Sequence, residues 1–122
     1  MQKLMITALT ASLLATACGA SFPAPQQKLA DAEAAHRSAK ELGADKMTEA
    51  QLNLKVAEEE IEAARSQMKA GDNERAESTL LRAKADAELA IALAREHQAK
   101  NETGRAVDTA NASQNARTNG AQ

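Results

Sequence analysis

Tryptophan and tyrosine are missing from this 122-residue chain, and Phe22 is its one aromatic residue. Without aromatic rings there are no stacking platforms for bases or sugars. The side chains that dominate most binding hot spots are missing too. Charge of one sign is scarce: 15 basic side chains against 17 acidic ones leave a formal net charge of −2, which excludes the basic footprint of a nucleic-acid binder. Proline occurs only at positions 23 and 25, so no proline interrupts a helix beyond them. Cys18 is the single cysteine, which rules out an internal disulfide framework. No apolar run reaches the roughly 20 residues that a membrane-spanning helix needs.

Recognisable catalytic signatures are equally scarce. There is no Gly-rich phosphate loop and no serine-nucleophile motif. His36 and His97 are the only histidines, and they lack the i,i+4 spacing that would make a helical metal site. Glu58, Glu59, Glu60 and Glu62 form an acidic run. On a helix these point in several directions, so they read as a solvated face rather than a cation site. No catalytic residue, no metal ligand, no cofactor and no small-molecule substrate follow from these patterns.

What remains is helix-forming material. About a quarter of the chain is alanine, and Glu, Lys, Gln, Arg and Leu supply much of the rest, a composition typical of long helices and coiled coils. The first helix is expected over about 25–42, with Leu29, Ala32, Ala35 or His36, Ala39 and Leu42 on one face. Glu33 and Arg37 are spaced for an i,i+4 pair, and Gly43 is placed for a left-handed cap. A second helix is expected to start at a capping box, Thr48 with Gln51, and a staple of Met47 on Leu52. Its stripe is Met47, Ala50, Leu54, Ala57, Ile61, Ala64 and Met68, with gaps alternating three and four as in a heptad seam. After Gly71, with Asp72 or Asn73 as N-cap, a third helix carries Ala76, Leu80, Ala83, Ala87, Ala90 and Ala94. Leu81, Leu89, Ile91 and Leu93 widen its apolar surface enough to cover two neighbours. It is expected to end near Lys100 or Gly104. The fold class is therefore all-α: an antiparallel three-helix bundle, or helical hairpin, with alanine-rich coiled-coil seams.

The amino-terminal segment reads as a secretory leader. Lys3 supplies positive charge, and Leu4 to Leu14 supply a short apolar stretch. The residues Leu14-Ala15-Thr16-Ala17-Cys18 resemble the lipobox of bacterial lipoproteins. That resemblance implies acylation of Cys18 and cleavage before it. Ala15 stands where leucine is commonest, and Ala15-Thr16-Ala17 also fits an ordinary A-x-A cleavage site, which would give a soluble periplasmic protein. Gly19, rather than aspartate, follows the cysteine; the resemblance then implies an outer-membrane lipoprotein facing the periplasm. The expected organisation is a lipoprotein signal peptide over 1–17, lipidated Cys18 with a short linker over 18–25, a helical domain over 26–103, and a polar, disordered tail over 104–122.

Two further resemblances concern the helices. From about Ala20 to Gln98 the alanine rhythm, Gly43-Ala44 and Gly71 between helices, and Ala83-x-x-Asp86-Ala87-x-x-Ala90 resemble a bacterial envelope family known as domain of unknown function 4398. Its members are often short lipoproteins or precede a peptidoglycan-binding domain. The likeness brings no catalytic residues and implies a structural or protein-interaction role. The expected partners are the membrane, through the covalent lipid on Cys18, and an envelope protein or a second copy, through helix faces. Gly71, Ala76, Leu80 and Ala83 also match half of a tetratricopeptide-type repeat, with Glu88 where that repeat has its closing proline. This implies an alternative role as a helical binding module for a peptide or client protein.

Overall fold

The computed structural model describes residues 22–120. Three α-helices follow the linker: α1 (Gln26–Glu41), α2 (Thr48–Lys69) and α3 (Asn73–Asn119), with a 3-10 turn at Ala44–Lys46 between the first two. Among the described residues there is no strand, and the helices pack as the expected three-helix bundle. The leader and Cys18 lie outside the described residues.

The heptad reading of α2 and α3 holds residue by residue. Ala50, Leu54, Ala57, Ile61 and Ala64 are buried on α2. Ala76, Leu80, Ala83, Ala87, Ala90 and Ala94 are buried on α3, joined by Thr79, whose hydroxyl donates to Arg75 O at 3.0 Å. On α1 only Ala32 and Ala39 are fully buried. The core divides into two clusters. One gathers Ala32, Ile61, Ala64, Ala76, Leu80 and Ala83, flanked by Leu29 and Met68. The other gathers Ala39, Ala44, Ala50, Leu54, Ala90 and Ala94, flanked by Leu42, Met47, Ile91 and Leu93. Ala57 and Ala87 belong to neither cluster, yet both are fully buried. The fully buried side chains that α2 and α3 place at that waist are methyl groups, so close approach of backbones replaces side-chain bulk there.

Glycine placement explains the two turns. Gly43 and Gly71 are the residues with positive φ, +79° and +81°, a region where a Cβ costs roughly 1–2 kcal/mol. The Gly43 N–H donates to Lys40 O at 2.9 Å, and the Asp72 N–H to Gln67 O at 2.9 Å, so both helix ends close on their own carbonyls as left-handed caps do. The ends of α3's packed portion are tied by side chains. Asn73 Nδ2 donates to Phe22 O at 2.8 Å. Gln98 Nε2 donates to Leu42 O at 3.2 Å, supplying a donor to a carbonyl beyond the end of α1.

Several local expectations are corrected. Thr48 is the first residue of α2 rather than its cap; Met47 holds that position with no side-chain cap bond. Leu52 remains 68% exposed, so no hydrophobic staple closes there. Asp72 does hold the N-cap position of α3 as expected, but without a side-chain cap bond. Leu81 and Leu89 stay exposed, whereas Ile91 and Leu93 pack on the second cluster.

The largest correction concerns residues 104–119, expected as a disordered tail: α3 continues to Asn119. Gly104 keeps an ordinary negative φ, and a glycine inside a helix costs only about 1 kcal/mol relative to alanine. The hydroxyls of Thr103, Thr109 and Ser113 donate to the carbonyls four residues earlier at 2.8–2.9 Å. Bonding back along the helix lets these polar side chains sit in it instead of competing with it. At 1.5 Å per residue, the 47 residues of α3 span about 70 Å. Its last part, from Arg95 onward, is exposed throughout; beyond Lys100, which still lines a hollow with Glu49 of α2, it extends roughly 28 Å.

Candidate functional site

Two surfaces stand out on this frame. The first is the groove between α1 and α2. One stretch encloses about 410 Å³ and is lined by His36, Lys40, Thr48, Leu52, Lys55 and Glu58 among others. A second stretch of about 300 Å³ shares His36, Lys40 and Glu58 and runs on to Glu33, Ile61 and Arg65. An ion pair bridges the groove at this end: Arg65 Nη2 lies 2.7 Å from Glu33 Oε1, and the same guanidinium bonds Glu62. Glu33 therefore pairs across the helices rather than with Arg37. The Arg65 pKa is raised, first by its hydrogen bond to Glu33. The acidic run is divided among neighbours. Glu59 faces Lys55 at 3.7 Å, and Glu60 accepts from Arg82 of α3 at 2.9 Å.

His36 is the unusual member of this groove. Its Nε2 is buried without a hydrogen-bond partner. Desolvation by burial lowers its pKa; Glu58 opposes the shift and Lys40 adds to it. A histidine kept neutral by burial is protonated more readily in the unfolded chain, whose pKa is near 6.5. The unfolded state then binds more protons, and stability falls as pH drops below about 6.5. Urea titrations at pH 7.5 and 5.5 should show the wild type less stable at the lower pH, and His36→Gln should reduce that difference. An unchanged difference would remove His36 as the cause.

The histidines do not converge on a metal. His97 lies on α3 at the end of the bundle, where it lines a hollow with Glu49 of α2, and Asn101 Nδ2 is 3.1 Å from its Nδ1. Among the described residues no group of three or more His, Cys, Asp or Glu is placed to hold an ion. Leu80, which the tetratricopeptide likeness places beside a groove, is 1% exposed and sits inside the bundle.

The second surface is the outer side of α3. Leu81, Leu89 and Val107 are exposed there by 49, 47 and 53%. At 3.6 residues per turn, Leu81, Ala85, Leu89 and Ala92 lie on the side opposite the buried seam. The alternation of three and four continues through Glu96, Ala99, Thr103, Ala106 and Ala110 into the projecting arm, all exposed. Glu96 and Lys100 pair within the helix at 2.7 Å. Sequence reading gave Leu81 and Leu89 as extra apolar surface on α3 but not the continuation of their face past Glu96 into the arm. Its signal was present as a second heptad rhythm, masked by the stronger first one and by the polar composition past Gly104.

Comparison with known proteins adds one result. The family model described as domain of unknown function (DUF4398) matches residues 27–106, which takes in α1, α2, the packed part of α3 and the start of its arm. No curated protein and no solved structure matches the chain. With most of its length covered by that model, the chain belongs to the family of domain of unknown function 4398.

Proposed function

We propose that this chain is a non-enzymatic lipoprotein of the bacterial cell envelope, anchored to the outer membrane through acylated Cys18 and working in the periplasm through its helix faces. The observation that carries the reading is the single cysteine placed directly after a charged, then apolar, leader of signal-peptide length. No helix among the described residues is long and apolar enough to cross a membrane, so a lipid is the anchor this reading requires. One acyl chain gives only reversible attachment, and two or more make it lasting. The linker Phe22-Pro23-Ala24-Pro25 then joins the anchor directly to α1, and the arm of α3 leaves the bundle at the end where Gln98 meets Leu42.

The interaction role is supported by where apolar surface is left over. One groove stretch carries exposed Leu52 among polar side chains and the other is crossed by the Arg65–Glu33 ion pair, whereas α3 presents Leu81, Leu89 and Val107 uncovered on one side. A structural or protein-binding task in the envelope fits such a face better than catalysis does.

Growth of the producing bacterium with labelled palmitate tests the anchor. Label should enter the full wild-type chain and be lost completely in Cys18→Ala. Equal labelling of both, or none in either, would overturn the lipoprotein reading; the latter result would favour ordinary cleavage after Ala17 and a soluble periplasmic protein.

A further inference from the structure

Two features of α3 have no partner within the chain: the exposed leucines on the bundle's outer side, and the arm beyond it, whose one large apolar residue is Val107. A helix of that length lacking tertiary contacts is only marginally stable in water. We infer that the occupant of this face is a second copy of the chain, with the two α3 helices antiparallel and each arm lying on the outer face of the other protomer's bundle. The inference rests on the reading of α3 as an interaction surface and names its partner.

Charge sets the register. When Ala92 faces the partner's Thr103, Leu89 faces the partner's Ala106, next to the partner's Val107. Leu81 then lies near the partner's Ala116. The exposed leucines and the arm cover one another, twice over by symmetry. In the same register Arg95 flanks the partner's Glu102, and Glu96 sits beside the partner's Lys100. Neither Arg95 nor Glu102 takes part in an ion pair recorded among the described residues.

Other arrangements oppose like charges. Sliding to the next layer one way sets Glu102 against the partner's Glu102 and Lys100 against the partner's Lys100. Sliding the other way sets Arg95 against the partner's Arg95 and Glu88 against the partner's Glu102. Parallel pairing puts Glu96 opposite the partner's Glu96 inside the seam and Arg95 beside the partner's Lys100. Flanking charges choose orientation and register in coiled coils, and polar seam residues, here Glu96 and Thr103, help fix them at some cost in stability. Antiparallel pairing also puts the two Asn73 ends far apart, so chains tethered at Cys18 would lie along the membrane plane.

Disulfide trapping of the full chain tests this. Two differently tagged copies are co-expressed in a bacterial host, one Ala92→Cys and one Thr103→Cys, and oxidised mildly; the chain without engineered cysteines gives the background from Cys18. A mixed-tag disulfide dimer is expected from the Ala92→Cys and Thr103→Cys pair, and only background from two copies of Ala92→Cys. Adding Arg95→Glu to both copies should abolish the mixed dimer, and adding Glu102→Arg as well should restore it. Both positions are exposed, so this swap leaves the bundle intact. A dimer formed only between two Ala92→Cys copies, no dimer above background, or a yield indifferent to Arg95→Glu would each overturn the inference. Palmitate incorporation is scored separately, so failure of the anchor and failure of the pairing are distinguishable.

Discussion

Replacing Leu80 with alanine is expected to lower the melting temperature by roughly 8–40 °C. Leu80 is the largest fully buried side chain in the bundle. A buried Leu→Ala change costs about 2–5 kcal/mol, because it removes transfer free energy and leaves a cavity. In a domain of 60–100 residues each kcal/mol moves the midpoint by about 4–8 °C. Four of its core neighbours, Ala32, Ala64, Ala76 and Ala83, have no rotamers with which to fill space, which leaves only Ile61, Leu29 and Met68 to adjust. A core made mainly of methyl groups also has little surplus, and a loss of this size is a large part of the roughly 5–15 kcal/mol that holds most domains together. Thermal unfolding followed by circular dichroism measures the shift. A change of less than about 3 °C would mean that Leu80 is not the keystone of its cluster.

Ala87→Phe should also destabilise the fold strongly, although it makes the core more apolar. Ala87 and Ala57 sit fully buried between the two core clusters. Added carbon there must push helices apart, which typically costs about 1–3 kcal/mol for smaller insertions than this one. Ala63→Phe is the matched control, because Ala63 is exposed on α2 and exposed substitutions stay within about 0.5 kcal/mol. Urea midpoints should fall clearly for Ala87→Phe and barely move for Ala63→Phe. A stabilised Ala87→Phe protein would show that the waist holds unfilled space, contrary to the alanine-seam account.

The seams were legible because the gaps of three and four in α2 and α3 leave one continuous stripe, and burial follows that stripe from Ala50 to Ala64 and from Ala76 to Ala94. Gly43 and Gly71 were legible because left-handed turns select glycine. Other features depend on what comes close only after folding. Glu33 has Arg37 four residues away, but the bundle offers it Arg65 across the groove. Thr48 and Gln51 fit a capping pattern, but the 3-10 turn at Ala44–Lys46 delivers the chain with Met47 at the cap. Past Gly104 the Asn, Thr and Ser content suggested loss of structure, whereas the helix continues and accommodates its hydroxyls by bonds back to its own carbonyls. Leu81 and Leu89 on the outer face of α3 were legible as surplus apolar surface, but that face's run into the arm was not, because a helix apolar on two opposite sides has no single amphipathic direction. The anchor at Cys18 was read from sequence pattern alone and lies outside the described residues.

An intact-mass measurement of the mature chain extracted from cell membranes tests the central claim most directly. The account predicts an amino terminus at Cys18 carrying acyl chains. A bare amino terminus, whether at Cys18 or with the leader still attached, would contradict it.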